Sequence, residues 1–171
     1  MKIVFCTPTI TRPFEPYLAA LEGSIPALDA AGIEHSAVFR VGDVYISHSR
    51  SYMLWQAMKT DADAVVFIDH DLSWEPEDLV RLIQHPGDVA AGDYRYKMDE
   101  ETYMARLFTT DDGHPMVRAD GTLRAHAVPA GFLKVTRAAV ERFREAYPEL
   151  LFGKDEFIDL FNHGAYEGLW W

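Results

Sequence analysis

Cysteine is nearly absent: Cys6 is the only one in 171 residues. A lone thiol forms no intrachain disulfide and no cysteine-based zinc site. A reducing, cytoplasmic setting is the expectation that follows. Long apolar runs are missing too. The cleanest, Ala64 to Ile68, falls far short of the roughly 18 residues of a membrane helix, so no span is expected. The opening MKIVFCTPTITRPF is too short in its apolar part for a signal peptide and reads as a first strand. Basic residues are scarce, 16 against 27 acidic ones, for a net charge of −11. That balance argues against duplex nucleic acid, which binds on a basic surface. It leaves room for a nucleotide, because a metal ion can supply positive charge locally. Neither G-x-x-x-x-G-K-[ST] nor G-x-G-x-x-G occurs, so P-loop and Rossmann dinucleotide readings lack support. No repeat, low-complexity stretch or Ser/Gly linker divides the chain.

What is present has a globular balance, 49% hydrophobic and 25% charged. The length suits one domain, 1–171, large enough to bury roughly 70% of its unfolded surface. Lys2 to Cys6 reads as a buried strand that breaks into a loop at Thr7-Pro8-Thr9. Phe14, Tyr17, Leu18, Leu21, Ile25 and Leu28 keep a helical spacing, with Pro13 at the start, Gly32 as the stop and Pro26 expected to kink or shorten the helix. His35 to Val41 is a second strand. Ser47 to Lys59 is a helix with Tyr52, Trp55 and Met58 along one side. Ala64 to Ile68 is a strand buried on both faces. Pro76 opens a helix with Glu77 and Asp78 in its first turn and Leu79, Leu82 and Ile83 toward the core, ending at His85-Pro86-Gly87. Val89 to Gly92 is a short strand.

The second half changes character. Tyr103 to Thr109, Met116 to Arg118 and Leu123 to Val128 read as strands around a hairpin turn at Ala119-Asp120-Gly121-Thr122. Thr136 caps a helix, with Val135 and Val140 at the spacing of a hydrophobic staple. Phe152 to Trp171 is aromatic-rich and without period. The expected fold is a three-layer α/β/α sandwich, mostly parallel, with an antiparallel hairpin extension. Ligands of such sheets bind beyond the carboxyl ends of the strands, which puts Thr7–Arg12 and Asp69–Trp74 on one edge.

The most informative stretch is VVFIDHDLSWEPEDL. A buried apolar strand ends in two carboxylates two positions apart, Asp69 and Asp71. At a strand end both can reach the crevice. Such hard oxygen ligands suit Mg²⁺ or Mn²⁺, which takes one or two carboxylates plus ligand phosphates. The alternative is that Asp69 caps the strand and Asp71 the next turn, both solvated.

With this segment the chain resembles the GT-A fold glycosyltransferases, most closely short bacterial and phage-type relatives of the family 2 enzymes. The matching pieces are Ile46-Ser47-His48-Ser49-Arg50, Phe67 to Leu79, Gly92-Asp93-Tyr94-Arg95-Tyr96-Lys97 and Gly131-Phe132-Leu133-Lys134-Val135-Thr136-Arg137. They follow one another in the family's order over about Lys2 to Phe143. The resemblance implies a GT-A-like domain, with a nucleotide-binding half over 1–98 and an acceptor half over 99–171. It implies a metal-dependent, hexosyltransferase-type enzyme that moves a sugar from a UDP- or GDP-linked donor to an acceptor hydroxyl, with inversion. Thr7, Pro8 and Thr9 would lie against the base and ribose, and Arg50 against the base edge or diphosphate. Asp69 would hold the ribose or the metal, and Asp71 the metal. Lys97 would reach the sugar or diphosphate, and Gly131 and Phe132 would line the sugar and acceptor side. Gly131 could instead serve a tight turn.

The chain departs from that family at its end. An inverting enzyme needs a carboxylate base for the acceptor hydroxyl. The family takes it from a Glu-Asp pair after a Gly/Trp segment, but here Gly168-Leu169-Trp170-Trp171 closes the sequence. The family's later metal-binding His is absent as well. A truncated domain is the favoured expectation. Otherwise Glu167, Asp155, Glu156 or Asp159 would be the base, or the protein would bind nucleotide-sugars without transfer. A metal-dependent phosphoesterase is a further alternative. Trp170 and Trp171 are expected to pack on a missing segment or on a second copy of the chain. His163 is a candidate metal or acceptor contact. His70 is expected to pack away from the carboxylates, His48 beside Arg50 either to approach a phosphate or to lie on a helix surface, and Cys6 to be a buried small hydrophobe.

Overall fold

The computed structural model describes residues 1–161 in full and, beyond them, the backbone of the short paired strands Ala165–Tyr166 and Leu169–Trp170. His163, Glu167 and the side chains of Trp170 and Trp171 lie outside the described residues.

The elements run β1 (Lys2–Thr9), α1 (Glu15–Ala30), β2 (Glu34–Val41), α2 (Ile46–Met58), β3 (Ala64–Ile68), α3 (Pro76–Gln84), β4 (Val89–Ala91), β5 (Arg106–Leu107), β6 (Ala125–Ala127), β7 (Phe132–Thr136) and α4 (Arg137–Ala146). A 3₁₀ turn at Pro148–Leu150 leads to β8 (Leu151–Phe152) and β9 (Phe157–Ile158). The central sheet has the order β2-β1-β3-β7-β4. β2, β1 and β3 are parallel; β7 is antiparallel to both β3 and β4, so four of the five strands point the same way.

All five residues of β3 are buried. Alternation along the strands splits the core into two layers. Ile3, Phe5, Val66 and Ile68 face α1 and α3, where Tyr17, Leu28, Leu79 and Ile83 meet them. Val4, Cys6, Val65 and Phe67 face α2 and α4, against Met53, Leu54 and Val140. The architecture is α/β/α, as the alternating pattern implied.

Four details differ from the sequence reading. β1 does not break at Thr7; it runs through Pro8 to Thr9, paired with β2 to Val41. Its pairing with β3 stops at Cys6, so beyond that point one side of the ladder is open and a missing N–H is tolerated. Pro26 does not shorten α1, which continues to Ala30 with Tyr17 and Leu28 buried on either side of it. In α2 the buried face is Met53, Leu54 and Ala57; Tyr52 and Trp55 instead form an outer aromatic face that meets Phe157 of β9. Finally, antiparallel β7 lies inside the sheet, while the expected hairpin is a separate small sheet, β5–β6. β7 and α4 come from the second half of the chain, so the central sheet draws on both halves.

Buried polar groups hold these layers. Lys134, 2% exposed in mid-sheet, donates from Nζ to the Ile83 and His85 carbonyls at the end of α3. Desolvation by burial lowers the pKa of this ammonium. Arg137 donates to the carbonyls of Met58, Thr60 and Ala62, closing the α2–β3 connection. Thr136 caps α4 by accepting from the Ala139 N–H.

Candidate functional site

Because β7 runs against its neighbours, its first residues reach the same sheet edge at which β1, β3 and β4 end. Thr9, Asp69, Gly92 and Gly131 therefore meet on one rim. The chain turns sharply after β3, with the Leu72 N–H donating to the Asp69 carbonyl at 3.1 Å. The Asp69 N–H donates to the Gly131 carbonyl at 2.8 Å, continuing the β3–β7 ladder by one rung.

Asp69 and Asp71 have different partners. Arg50, in the second turn of α2, donates from Nη2 to Asp69 Oδ1 at 2.6 Å. Both side chains are largely buried, 12% and 25% exposed. The Arg50 Nε is buried without a hydrogen-bond partner among the described residues, and Phe161 backs the guanidinium at 6.0 Å. Asp71 pairs with Lys97, whose side chain is 76% exposed. One carboxylate is thus clamped from below, and the other is held by a cation free to swing into solvent.

Tyr94 closes the third side. Its Oη accepts from the Gly131 N–H at 3.1 Å. Burial pushes its phenol up to about 12, with the nearby Asp69 charge adding to the shift. A β-carbon at Gly131 would stand 2.2 Å from Tyr94 Oη and 2.4 Å from Asp69 Oδ2. Gly131 has no positive φ, so the tight-turn alternative gives way to one of space: a bare backbone is what lets the phenol and carboxylate converge. Tyr94 is placed by a fold-back of 92–105, in which Met104 N–H donates to the Tyr94 carbonyl and Ala105 N–H to Asp93 Oδ1.

Asp69, Asp71, Tyr94, Arg95 and Lys97 line an open cleft of about 800 Å³. Among the described residues no group of three or more His, Cys, Asp or Glu gathers. The cleft thus offers two carboxylates, a hard-oxygen set that fits Mg²⁺ or Mn²⁺ when phosphate oxygens complete the shell. Asp71 is the easier of the two to free, since its partner Lys97 is exposed whereas Arg50 is largely buried.

The other expected residues fall as follows. Thr7 is buried and its Oγ1 is hydrogen-bonded to Tyr17 Oη at 2.6 Å, so its side chain is committed to the α1 layer. Pro8 offers its carbonyl to His70 Nδ1 at 3.2 Å. Thr9 Oγ1 is buried with no hydrogen-bond partner among the described residues. His70 packs edge-on against Phe14, away from the cleft. His48 pairs with Asp43 Oδ2 at 2.7 Å on the β2–α2 side of the rim. Phe132 is 8% exposed and packs against Trp74 and under Gly92. Of the acidic candidates, Asp159 accepts from Ser51 beside Arg50 at 3.2 Å. Asp155 gives its carbonyl to Trp55 on the outer face of α2, and Glu156 pairs with Arg144 of α4. Tyr94 was given no role by the sequence reading; its signal was an aromatic two residues past a short strand ending on the ligand edge.

Protein-family models, curated proteins and solved structures were all compared with the chain, and none matches.

Proposed function

We propose that the chain is a GT-A-like, metal-dependent glycosyltransferase, moving a sugar from a UDP- or GDP-linked donor to an acceptor hydroxyl. The observation that carries this reading is the pairing of Asp69 and Asp71 at the end of the buried central strand, on a cleft rimmed by Arg50, Tyr94 and Lys97. Asp71, with Asp69, would hold Mg²⁺ or Mn²⁺, which when bound supplies positive charge against the departing diphosphate. Arg50 fixes the orientation of Asp69. Tyr94 stays a neutral phenol at neutral pH, able to donate to a sugar or phosphate oxygen. Lys97, long and exposed, can leave Asp71 for a phosphate once a metal has taken its place. The acceptor proton goes to a carboxylate of the C-terminal segment, with Asp159, which accepts from Ser51 beside Arg50, and Glu167 as the candidates.

The test is calorimetric titration of UDP and GDP, with and without Mn²⁺, on the wild type and Asp71→Ala. Metal-dependent binding that the substitution abolishes supports the reading, and the preferred base narrows the donor. Binding indifferent to both metal and Asp71, or none at all, overturns it.

A further inference from the structure

A second cleft, of about 790 Å³, adjoins the first; Leu72 and Tyr94 line both. It lies between α3 and β4 on one side and the β5–β6 arm on the other. Its floor is aromatic. Trp74 packs against Phe132 with ring centres 5.8 Å apart, and its indole N–H is tied to Ser24 Oγ at 3.0 Å. The ring is therefore fixed in orientation before any ligand arrives, the usual condition for an aromatic platform under a sugar ring.

The charge of this cleft runs against that of the chain. In a protein of net charge −11, its lining carries Arg81, Arg118 and Arg124. Two aspartates also line it, and both are occupied. Asp78 lies 3.7 Å from Arg81, and Asp93 Oδ1 accepts from the Tyr94 and Ala105 N–H groups. Arg118 and Arg124 have no carboxylate within ion-pair distance among the described residues. Arg124 rests over the Phe108 ring at 4.9 Å, and Phe108 stacks in turn on His126. At the far end His85 accepts from the Gly87 N–H on Nδ1 at 3.0 Å. In the neutral ring the proton is then on Nε2, a donor. That Nε2 is buried with no hydrogen-bond partner among the described residues; Asp120 is 3.7 Å away. Two guanidiniums with no carboxylate in ion-pair distance among the described residues, Arg118 feeling only the half-exposed Asp120 charge, and a buried His85 donor on an aromatic floor form a site for an oxyanion attached to a ring.

We infer that this second cleft is the acceptor site and that it selects a sugar bearing an oxyanion, a carboxylate or a phosphate. The word acceptor rests on the glycosyltransferase reading; the anion preference does not. The shared wall at Tyr94 would let such a molecule, bound by its anionic end to Arg118 and Arg124 of the β5–β6 arm, present a hydroxyl toward the Asp69–Asp71 cleft.

The experiment titrates glucuronate, glucose 6-phosphate and glucose into wild-type protein, Arg118→Gln/Arg124→Gln and Asp71→Ala. Thermal melts check that each variant is folded. The expected result is that one or both anionic sugars bind, with glucose roughly tenfold or more weaker. The double arginine variant loses that preference by a similar factor and keeps metal-dependent UDP or GDP binding; Asp71→Ala does the reverse. The glucuronate and phosphate arms separate carboxylate from phosphate recognition. Equal binding of glucose, no binding of either anion, or an unchanged preference in the double variant overturns the inference. Loss of nucleotide binding alone in the wild type would overturn the glycosyltransferase reading and leave the anion preference standing.

Discussion

The Arg50 guanidinium of α2 reaches across the sheet edge to Asp69 at the end of β3, Nη2 to Oδ1 at 2.6 Å. The pair joins one covering helix to the central strand at the point where the cleft begins. Removing the arginine leaves a largely buried carboxylate without its counter-charge, which costs more than the pair itself contributes. Arg50→Met is expected to lower unfolding stability by about 1–3 kcal/mol, the low side of the buried-pair range because Asp69 keeps some solvent. Asp69→Asn added to Arg50→Met should restore part of that loss. Urea denaturation of the two single variants and the double variant closes the cycle; strictly additive losses would mean that the two residues do not act as a pair.

Gly131 tests the convergence of Tyr94 and Asp69. Gly131→Ala forces a methyl to within 2.4 Å of the Asp69 carboxylate and closer still to the Tyr94 hydroxyl. The expected cost is about 1–3 kcal/mol, as for other over-packed sites. Tyr94→Phe in the same chain removes one of the two collisions and should recover part of the loss. Thermal or urea melts decide; a Gly131→Ala variant as stable as the wild type would show that the rim opens freely.

These two residues also show how far the sequence could be read. β3 and the two aspartates were legible because five buried residues in a row, then D-x-D, leave few alternatives. Arg50 was reachable only through the family resemblance, since nothing in a helical pattern says which strand end a side chain meets. β7 was hidden because Lys134 interrupts its apolar run; the ammonium finds its partners in the α3 carbonyls, a contact set by tertiary packing. Tyr94 sits on irregular backbone, where neither a period of two nor one of 3.6 says which way a side chain points. The Trp55 face of α2 was legible as a stripe but not as an outer one, because β9, which covers it, comes about 100 residues later.

Arg137 opens α4, and its three carbonyl contacts are all with the α2–β3 connection. Its role is structural. Arg137→Ala should destabilise the fold by about 2–4 kcal/mol, because several carbonyls lose a charged donor at once. Under conditions where the variant stays folded, the Kd for nucleotide should match the wild type. A changed Kd with unchanged stability would reverse the assignment.

Cys6 sets a pH limit. Burial pushes its thiol up to about 12, whereas a free thiol ionises near ~8.5. Above that lower value the unfolded chain releases a proton that the native chain keeps. Its contribution is therefore complete below about pH 8.5 and is lost as pH rises toward 12. By pH 10 the loss amounts to about 2 kcal/mol. Urea melts at pH 7 and pH 10 should show the wild type falling by that much more than Cys6→Ala. The Tyr94 phenol, also raised by burial, is common to both proteins and cancels in the comparison; the Tyr17 phenol is raised mainly by burial, with the Cys6 charge its smallest cause. Parallel pH dependences would show that the thiol is not the group responsible.

The ion pair between Lys97 and Asp71 makes the two halves of the proposed donor site compete. With no ligand bound, the ammonium occupies the carboxylate that a divalent ion would use. An exposed pair of this kind contributes at most about 1 kcal/mol, so its removal should tighten Mn²⁺ binding by no more than about fivefold. Lys97→Ala is therefore expected to bind Mn²⁺ a few-fold more tightly in the absence of nucleotide. The same variant should bind UDP or GDP with Mn²⁺ more weakly, because the cation that would move to a phosphate is gone. Mn²⁺ titration followed by paramagnetic resonance reads the first effect, and calorimetry the second. The opposite signs make the prediction specific: a purely structural lysine would shift both affinities the same way or neither, and Lys97 would then have no part in the site.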